Sequence, residues 1–138
     1  YSFTIPNTKI RGELAPYVHF HRSASIRDNF KPLHATTFGS HVSVYAELPW
    51  SMRLQTDLRT ISRRGYNDES MNDNEFIWNA NLTKAFSNKF SKSLEAFDLL
   101  GQRKNVVRFV NAQSNTESVY NNLRQYIMLH LTWLLNKR

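Results

Sequence analysis

The sequence predicts an all-β fold of six antiparallel strands and part of a seventh. Three observations support this prediction. Apolar and polar residues alternate with period two in six segments, turn-forming residues separate the segments, and the connections alternate between short and long. Hydrophobic residues make up 41% and aromatic residues 13% of the 138 residues, which is enough to give each strand one apolar face and one polar face.

The first three alternating segments cover residues 10–21, 38–48 and 52–59, and residues 1–5 have the spacing of the end of an earlier strand. In the three segments, even-numbered residues are mostly apolar and odd-numbered residues are mostly polar, the pattern of a strand with two unlike faces. Pro16 lies inside the first segment and predicts a bulge or a local break there, because proline cannot donate a hydrogen bond in a sheet.

The last three segments cover residues 75–83, 90–100 and 126–135. The fifth segment has the weakest pattern, because Lys92 and Asp98 fall on its apolar face. An amphipathic helix is an alternative for the final segment, because its apolar residues also recur at helical spacing.

The connections are of two kinds, and they alternate along the chain. A soluble sandwich has no reason to sort its loops in this way, whereas a transmembrane β-barrel has short periplasmic turns and long extracellular loops. The sequence therefore predicts a fragment of a transmembrane barrel whose last strand runs from outside to periplasm, with a soluble β-rich domain as the alternative. The short connections are residues 6–8, 49–50 and 87–89, and the long ones are residues 21–37, 62–74 and 101–118.

Several classes of function are excluded or disfavoured by composition. The chain has no cysteine, which excludes disulfides, thiolate metal sites and thiol nucleophiles. No apolar run approaches the roughly 18 residues of a transmembrane helix. The chain begins at Tyr1 with neither methionine nor the pattern of a signal peptide, and we expect it to be part of a longer protein.

No catalytic constellation stands out, so we expect no enzymatic activity, no cofactor and no metal. His19 and His21 share one strand face, a spacing that could bind a metal, but polar residues lining a wet interior are the favoured interpretation. The acidic residues of the 68–75 region lack the glycine and the terminal glutamate of an EF-hand loop. The four glycines include no adjacent pair, so no phosphate-binding loop is predicted.

The net charge of +7 and the pI near 9.9 have two interpretations. A nucleic-acid-binding barrel would combine aromatic and basic residues on one face, but here the arginines are spread along the chain, so no nucleic-acid partner is predicted. The other interpretation places loop residues against an anionic ligand or lipopolysaccharide. The residues that we predict for these extracellular contacts are Arg63, Arg64, Tyr66, Arg103 and Lys104.

The C-terminal strand carries a second candidate site. Outer-membrane barrels end in an alternating apolar strand with an aromatic residue near its end, which the barrel assembly machinery reads. Trp133, together with Trp50 and Trp78, would suit the aromatic girdles of such a barrel. The predicted assembly signal is Tyr126, Ile127, Leu129, Leu131, Trp133 and Leu135.

Six motifs follow one another along the chain: Glu47–Met52, Ser62–Tyr66, Phe76–Ala80, Phe97–Gln102, Asn111–Gln113 and Gln125–Thr132. In this order they resemble the C-terminal strands of TonB-dependent outer-membrane receptors from Bacteroidetes. The resemblance covers about residues 37–136. The chain departs from the family pattern at Arg124, where proline often follows the leucine, near Leu134, where a basic residue is often found, and at Lys92 on a nominally lipid-facing strand.

The resemblance implies a barrel of about 22 strands around an N-terminal plug, of which residues 1–138 would be the C-terminal part. Such receptors lie in the bacterial outer membrane and take up large nutrients, driven by the TonB complex through the N-terminal part. The implied partners are outer-membrane lipid, lipopolysaccharide, the rest of the barrel and its plug, and the assembly machinery.

Two alternatives remain open at the level of sequence. One is a soluble basic β-rich domain that binds nucleic acid or another anion, and the other is a small autonomous barrel with a structural or adhesive role. Six strands cannot close a large barrel and leave two unpaired edges, so we expect a fragment of this kind to aggregate or to need detergent.

Overall fold

The computed structural model describes residues 1–24, 32–104, 106–110, 115–121 and 123–135. The Asn111–Gln113 motif lies outside these residues. Within them the chain forms nine strands and one turn of 3-10 helix. The elements are β1 (Ser2–Thr4), β2 (Ile10–Ser23), β3 (Leu33–Leu48), β4 (Met52–Arg64), the 3-10 helix (Glu69–Met71), β5 (Asn74–Ala85), β6 (Phe90–Phe97), β7 (Val106–Val110), β8 (Asn115–Val119) and β9 (Tyr126–Trp133).

Seven strands form one antiparallel sheet in the order β1-β2-β3-β4-β5-β6-β9. The all-β prediction of six strands and a partial one is confirmed for this sheet, which is open, with β1 and β9 as its outer strands. Because β9 pairs with β6 through eight consecutive residue pairs, the helical alternative for the C-terminal segment is wrong. In the part of the chain that the structure describes, no helix has the length and apolar character needed to cross a membrane.

Three sequence-based boundaries are corrected. Strands β3 and β4 extend further than predicted, to Leu33 and Arg64, so the connections at that end are shorter. Strand β6 ends at Phe97 rather than residue 100, because Asp98 turns the backbone into the left-handed region at φ 49°. The connection predicted as a polar loop over 101–118 contains the separate β7–β8 hairpin.

Pro16 produces no break, contrary to prediction. Strand β2 pairs with β3 in unbroken register from Ile10 to Ser23, with Pro16 opposite Ser40. The N–H of Leu14 donates to the carbonyl of Tyr1, so even-numbered residues of β2 direct their backbone groups toward β1. The backbone nitrogen of Pro16 therefore faces away from β3, so the β2–β3 ladder loses no hydrogen bond.

The register places most of the large apolar residues of the seven strands on one face, called here the apolar face. Its residues are odd-numbered in β1 and β9 and even-numbered in the five strands between them. No carboxylate lies on this face in the seven strands. Its large apolar residues are Phe3, Ile10, Leu14, Val18, Phe20, Phe38, Val42, Val44, Leu48, Met52, Leu54, Leu58, Phe76, Trp78, Leu82, Phe90, Leu94, Ile127, Leu129, Leu131 and Trp133.

The two ends of the sheet differ. Counted between the last hydrogen-bonded residues, the connections at one end have three or four residues, 6–9, 49–51 and 87–89. This end is called here the turn end, and the predicted tight turns are confirmed. At the opposite end, the loop end, the connections are residues 24–32, 65–73 and 98–125. The alternation of short and long connections thus becomes a physical asymmetry between the two ends of the sheet.

The apolar face is uncovered in this chain. Val18 is 55% exposed, Leu129 65% and Trp133 65%, and the chain exposes 10791 Å² of surface, whereas a compact monomer of this mass would expose about 7,500 Å². Among the buried hydrophobic residues, Ala46 lies on the apolar face, whereas Leu33, Ala35 and Ile61 lie on the opposite face at the loop end, and Met71 belongs to the 3-10 helix.

Gly39 allows a close approach of three strands on the polar face. An added Cβ would lie 2.1 Å from the carbonyl oxygen of Thr60 and 2.8 Å from the hydroxyl of Tyr17. Tyr17 lies directly opposite Gly39 in the β2–β3 pair. A backbone oxygen cannot move away as a flexible side chain can. The glycine therefore lets the Tyr17 ring fill the space above β3, the pairing by which an aromatic residue covers a strand glycine.

We predict that Gly39→Ala destabilises the folded chain by about 1–3 kcal/mol, because the added methyl group must displace strand β4 or the Tyr17 ring. Equilibrium unfolding in urea, followed by circular dichroism, measures the change. Ser43→Ala, on the same face of the same strand, is the control and should leave the midpoint almost unchanged. Equal midpoints for the two variants would show that the strands do not approach this closely.

Candidate functional site

The face opposite the apolar face, called here the polar face, carries hydrogen bonds that cross from strand to strand. Asn81 on β5 donates to Glu95 on β6 at 2.7 Å and accepts from the hydroxyl of Ser93 at 2.8 Å. The second carboxylate oxygen of Glu95 lies 3.1 Å from Nε2 of His130 on β9. Side chains thus link three strands, in addition to the backbone ladder.

A second link joins the polar face to the start of the β6–β9 connection. Asn79 donates to Asp57 at 3.0 Å, and its amide oxygen accepts the backbone N–H of Asp98. Asp98 is only 2% exposed, and its carboxylate accepts the backbone N–H groups of Gln102 and Arg103 at 3.2 and 2.7 Å. These bonds satisfy the buried carboxyl oxygens and fix the backbone that carries Arg103 and Lys104.

Charged residues from two connections meet at the loop end, in a group called here the loop-end cluster: Arg63, Asp73, Glu75 and Lys104. Arg63 at the end of β4 lies 3.0 Å from Asp73 and 3.7 Å from Glu75. Lys104 forms a hydrogen-bonded ion pair with the other carboxylate oxygen of Asp73. Asp73 therefore ties the β6–β9 connection to the β4–β5 loop.

The five residues predicted to contact an extracellular ligand lie at this same end of the sheet. Arg63 and Lys104 are paired with Asp73, and Arg64 donates to the carbonyl of Asp73 and to Asn74. The ring centroid of Tyr66 lies 6.4 Å from that of His21. Arg103 is exposed. The structure brings these residues to one end, and their binding of a ligand stays a prediction.

The pKa of Asp73 is lowered from its ordinary value of 3.8. Partial burial acts in the opposite direction and raises the pKa, but the hydrogen bonds from Lys104 and Arg63 and the attraction of their charges outweigh it. The carboxylate is therefore charged at neutral pH. Its contribution to stability is present above pH 3.8 and is lost as the pH falls through its lower folded-state pKa.

The residues of the predicted assembly signal divide between the two faces. Ile127, Leu129, Leu131 and Trp133 lie on the apolar face of β9. Tyr126 lies on the polar face and stacks on Phe97, with 4.6 Å between ring centroids. Leu135 follows the end of the strand and is 87% exposed. The alternation is as predicted, and recognition by the assembly machinery stays a prediction.

The histidine pair of β2 contacts aromatic rings. The ring centroid of His19 lies 5.3 Å from that of Tyr17, and His21 is next to Tyr66. Among the residues that the structure describes, no group of three or more metal-ligating side chains is found.

Asp73, Asp98 and Asn79 organise the loop end, a role that the local sequence pattern does not predict. Asp73 stands out in the sequence only as part of an acidic stretch. The signal for Asn79 was present, because asparagines occupy odd positions 79 and 81 of a strand whose even positions are apolar. Nothing local in sequence marks Asp98 as a buried acceptor, since its partners come from the turn that it organises.

Comparison of the chain with protein-family models, with curated proteins and with solved structures finds no match.

We predict that Lys104→Met raises the pKa of Asp73 toward 3.8 and costs about 0.5–1 kcal/mol of stability at pH 7, because one of its two cationic partners is lost. Carbon NMR of the Asp73 carboxyl group across a pH titration measures the pKa directly.

Lys89→Met, which removes a lysine from the turn end, is the control and should leave the pKa of Asp73 unchanged. An Asp73 pKa at or above 3.8 in the unmodified chain would contradict the geometry of the loop-end cluster.

Proposed function

We propose that the chain is the C-terminal part of a bacterial outer-membrane β-barrel of the TonB-dependent receptor type, which takes up a large nutrient and is not an enzyme. The apolar face contacts lipid, and the polar face lines the hydrated interior of the barrel. The turn end lies in the periplasm and the loop end lies outside the cell.

One observation carries the membrane part of this proposal: the seven strands direct most of their large apolar residues to a single uncovered face. A soluble two-layer fold would need a second layer to bury it. Exposed apolar patches on soluble monomers rarely exceed a few hundred square ångströms, whereas this face extends over a seven-stranded sheet. In contact with lipid, such a face avoids the free-energy cost of exposing apolar surface to water.

Strand length supports the same proposal. Strands β2, β3, β4 and β5 have 14, 16, 13 and 12 residues, and about 9–11 residues of a tilted strand cross a bilayer. Strands of soluble proteins have typically about 5–6 residues. Strands β6 and β9 have only 8 residues each, but the hydrogen bond from Leu134 to Lys89 continues their pairing beyond the strand ends.

Aromatic residues lie toward both ends of the apolar face. Phe38 and Phe76 lie toward the loop end, and Phe90 and Trp133 lie at the turn end. Aliphatic residues such as Val44 occupy the positions between them. An aliphatic band between two aromatic girdles is the arrangement of outer-membrane barrels.

The polar face is suited to a hydrated interior. Its carboxylates Asp57 and Glu95 accept hydrogen bonds from Asn79 and Asn81, while Arg53 and Arg59 are exposed on the same face. Most of the large aromatic residues lie on the other face. The soluble nucleic-acid-binding alternative would need a continuous surface of basic and aromatic residues along one face.

The receptor part of the proposal depends on the resemblance of six sequence motifs. The open sheet supports it, because such a sheet needs further strands to close into a barrel. We expect the gene to continue upstream of Tyr1 for several hundred residues, through more alternating strands to a plug and a signal peptide. A start codon directly before Tyr1 would leave no room for a plug and would contradict the transporter.

We predict that Val44→Arg destabilises the chain in phospholipid vesicles by about 2–4 kcal/mol, because it places a charge near the middle of the lipid-facing band. Ser43→Arg is the matched control: the same side chain is introduced one residue away, on the polar face, where water hydrates it. Urea unfolding in vesicles measures both. Equal effects of the two variants would contradict the assignment of the faces.

A further inference from the structure

Two lysines lie among the aromatic residues of the turn end, on the apolar face. The group consists of Lys84, Phe86, Phe90, Lys92 and Trp133 and is called here the lysine–aromatic cluster. Lys84 and Lys92 are direct partners across the β5–β6 pair, so their side chains start from adjacent positions on one face. Phe90 is likewise opposite Trp133 across the β6–β9 pair.

The rings support the ammonium groups. Nζ of Lys92 lies 5.5 Å from the ring centroid of Phe86 and 5.7 Å from that of Phe90, and Nζ of Lys84 lies 5.9 Å from Phe86. These distances are within the range of cation–π contacts. The rings of Phe90 and Trp133 are 5.4 Å apart, so the aromatic surface is continuous across two strands.

The cluster has an excess of positive charge. Like charges that face each other across a strand pair are destabilising, and the seven strands place no carboxylate on this face. Lys84 donates to the carbonyl of Trp50 at 2.6 Å, which satisfies one of its three donors. Lys92 is exposed, and its contacts in the described part of the chain are the two rings.

We propose that the lysine–aromatic cluster binds the phosphate of an anionic phospholipid. The inference depends on the proposed function, in which this face contacts lipid and the turn end faces the periplasm. A phosphate between Lys84 and Lys92 relieves their repulsion and takes up their free donors, while acyl chains pack on Phe86, Phe90 and Trp133. A phospholipid matches the cluster better than a free anion does, because the lysines suit its acidic headgroup and the neighbouring aromatic surface suits its acyl chains.

The probe is quenching of tryptophan fluorescence by brominated lipids. The backbone carbonyl of Trp50 accepts a hydrogen bond from Lys84, and Trp133 belongs to the cluster, whereas Trp78 lies toward the loop end. The full chain carrying Trp78→Phe is reconstituted into vesicles of phosphatidylcholine with a fraction of brominated phosphatidylglycerol or, separately, of brominated phosphatidylcholine. Both remaining tryptophans then report lipids at the turn end.

We expect brominated phosphatidylglycerol to bind next to these tryptophans at least about fivefold more strongly than brominated phosphatidylcholine, since each lysine at a membrane surface contributes roughly that factor. The preference should fall as salt is raised from 0.1 to 1 M, where the screening length shrinks from about 10 Å to about 3 Å. The double variant Lys84→Gln, Lys92→Gln should abolish the preference.

The double variant Arg53→Gln, Arg59→Gln is the matched control. It also removes two positive charges, but from the polar face, and it should keep the preference for phosphatidylglycerol. Three outcomes would overturn lipid binding by the cluster and leave the membrane assignment intact. They are equal quenching by both lipids, a preference for phosphatidylglycerol that persists in the lysine double variant, and a preference that is lost in both double variants. The absence of quenching by either lipid would overturn the membrane assignment, and the cluster with it.

Discussion

The strand register is the constraint on which the rest of the molecule depends. Neighbouring side chains of a strand point to opposite faces, so a slip of one residue would move a whole set of apolar residues to the other face. The loop lengths prevent this slip. The three-residue connections 49–51 and 87–89 keep even residues opposite even residues, and the four-residue connection 6–9 changes parity. The apolar residues change parity at that same connection, between Phe3 and Ile10.

The polar face and the loop end reinforce this register. Asn81, Glu95 and His130 join three strands only when β5, β6 and β9 are aligned as observed. At the loop end, the bonds of Asp98 and the ion pair between Lys104 and Asp73 hold the first part of the β6–β9 connection, residues 98–104, against the β4–β5 loop. The turn end needs less support because its connections are short. Charge and hydrogen bonding are thus concentrated where the chain has the most conformational freedom to lose.

Sequence alone was sufficient for the features that depend on local pattern. The strands, the tight turns and the two unlike faces follow from period two and from turn residues such as Pro49. The sequence alone was insufficient where contacts between residues far apart in the chain determine the structure. The end of β6 depends on the buried Asp98, and the unbroken register at Pro16 depends on which neighbouring strand its backbone nitrogen faces. The alternating pattern of the β7–β8 hairpin is too short to be recognised in the sequence. The loop-end cluster joins residues that are 41 positions apart, from Arg63 to Lys104.

The most direct test of the lipid-facing sheet is a nitroxide scan along β5, from Phe76 to Lys84, in phospholipid vesicles. The chain has no cysteine, so each label is attached to a single introduced cysteine without background. The account predicts accessibility with period two: even positions contact oxygen dissolved in the bilayer, and odd positions contact a water-soluble nickel complex. Uniform access of the nickel complex to both sets of positions would contradict a membrane-spanning sheet.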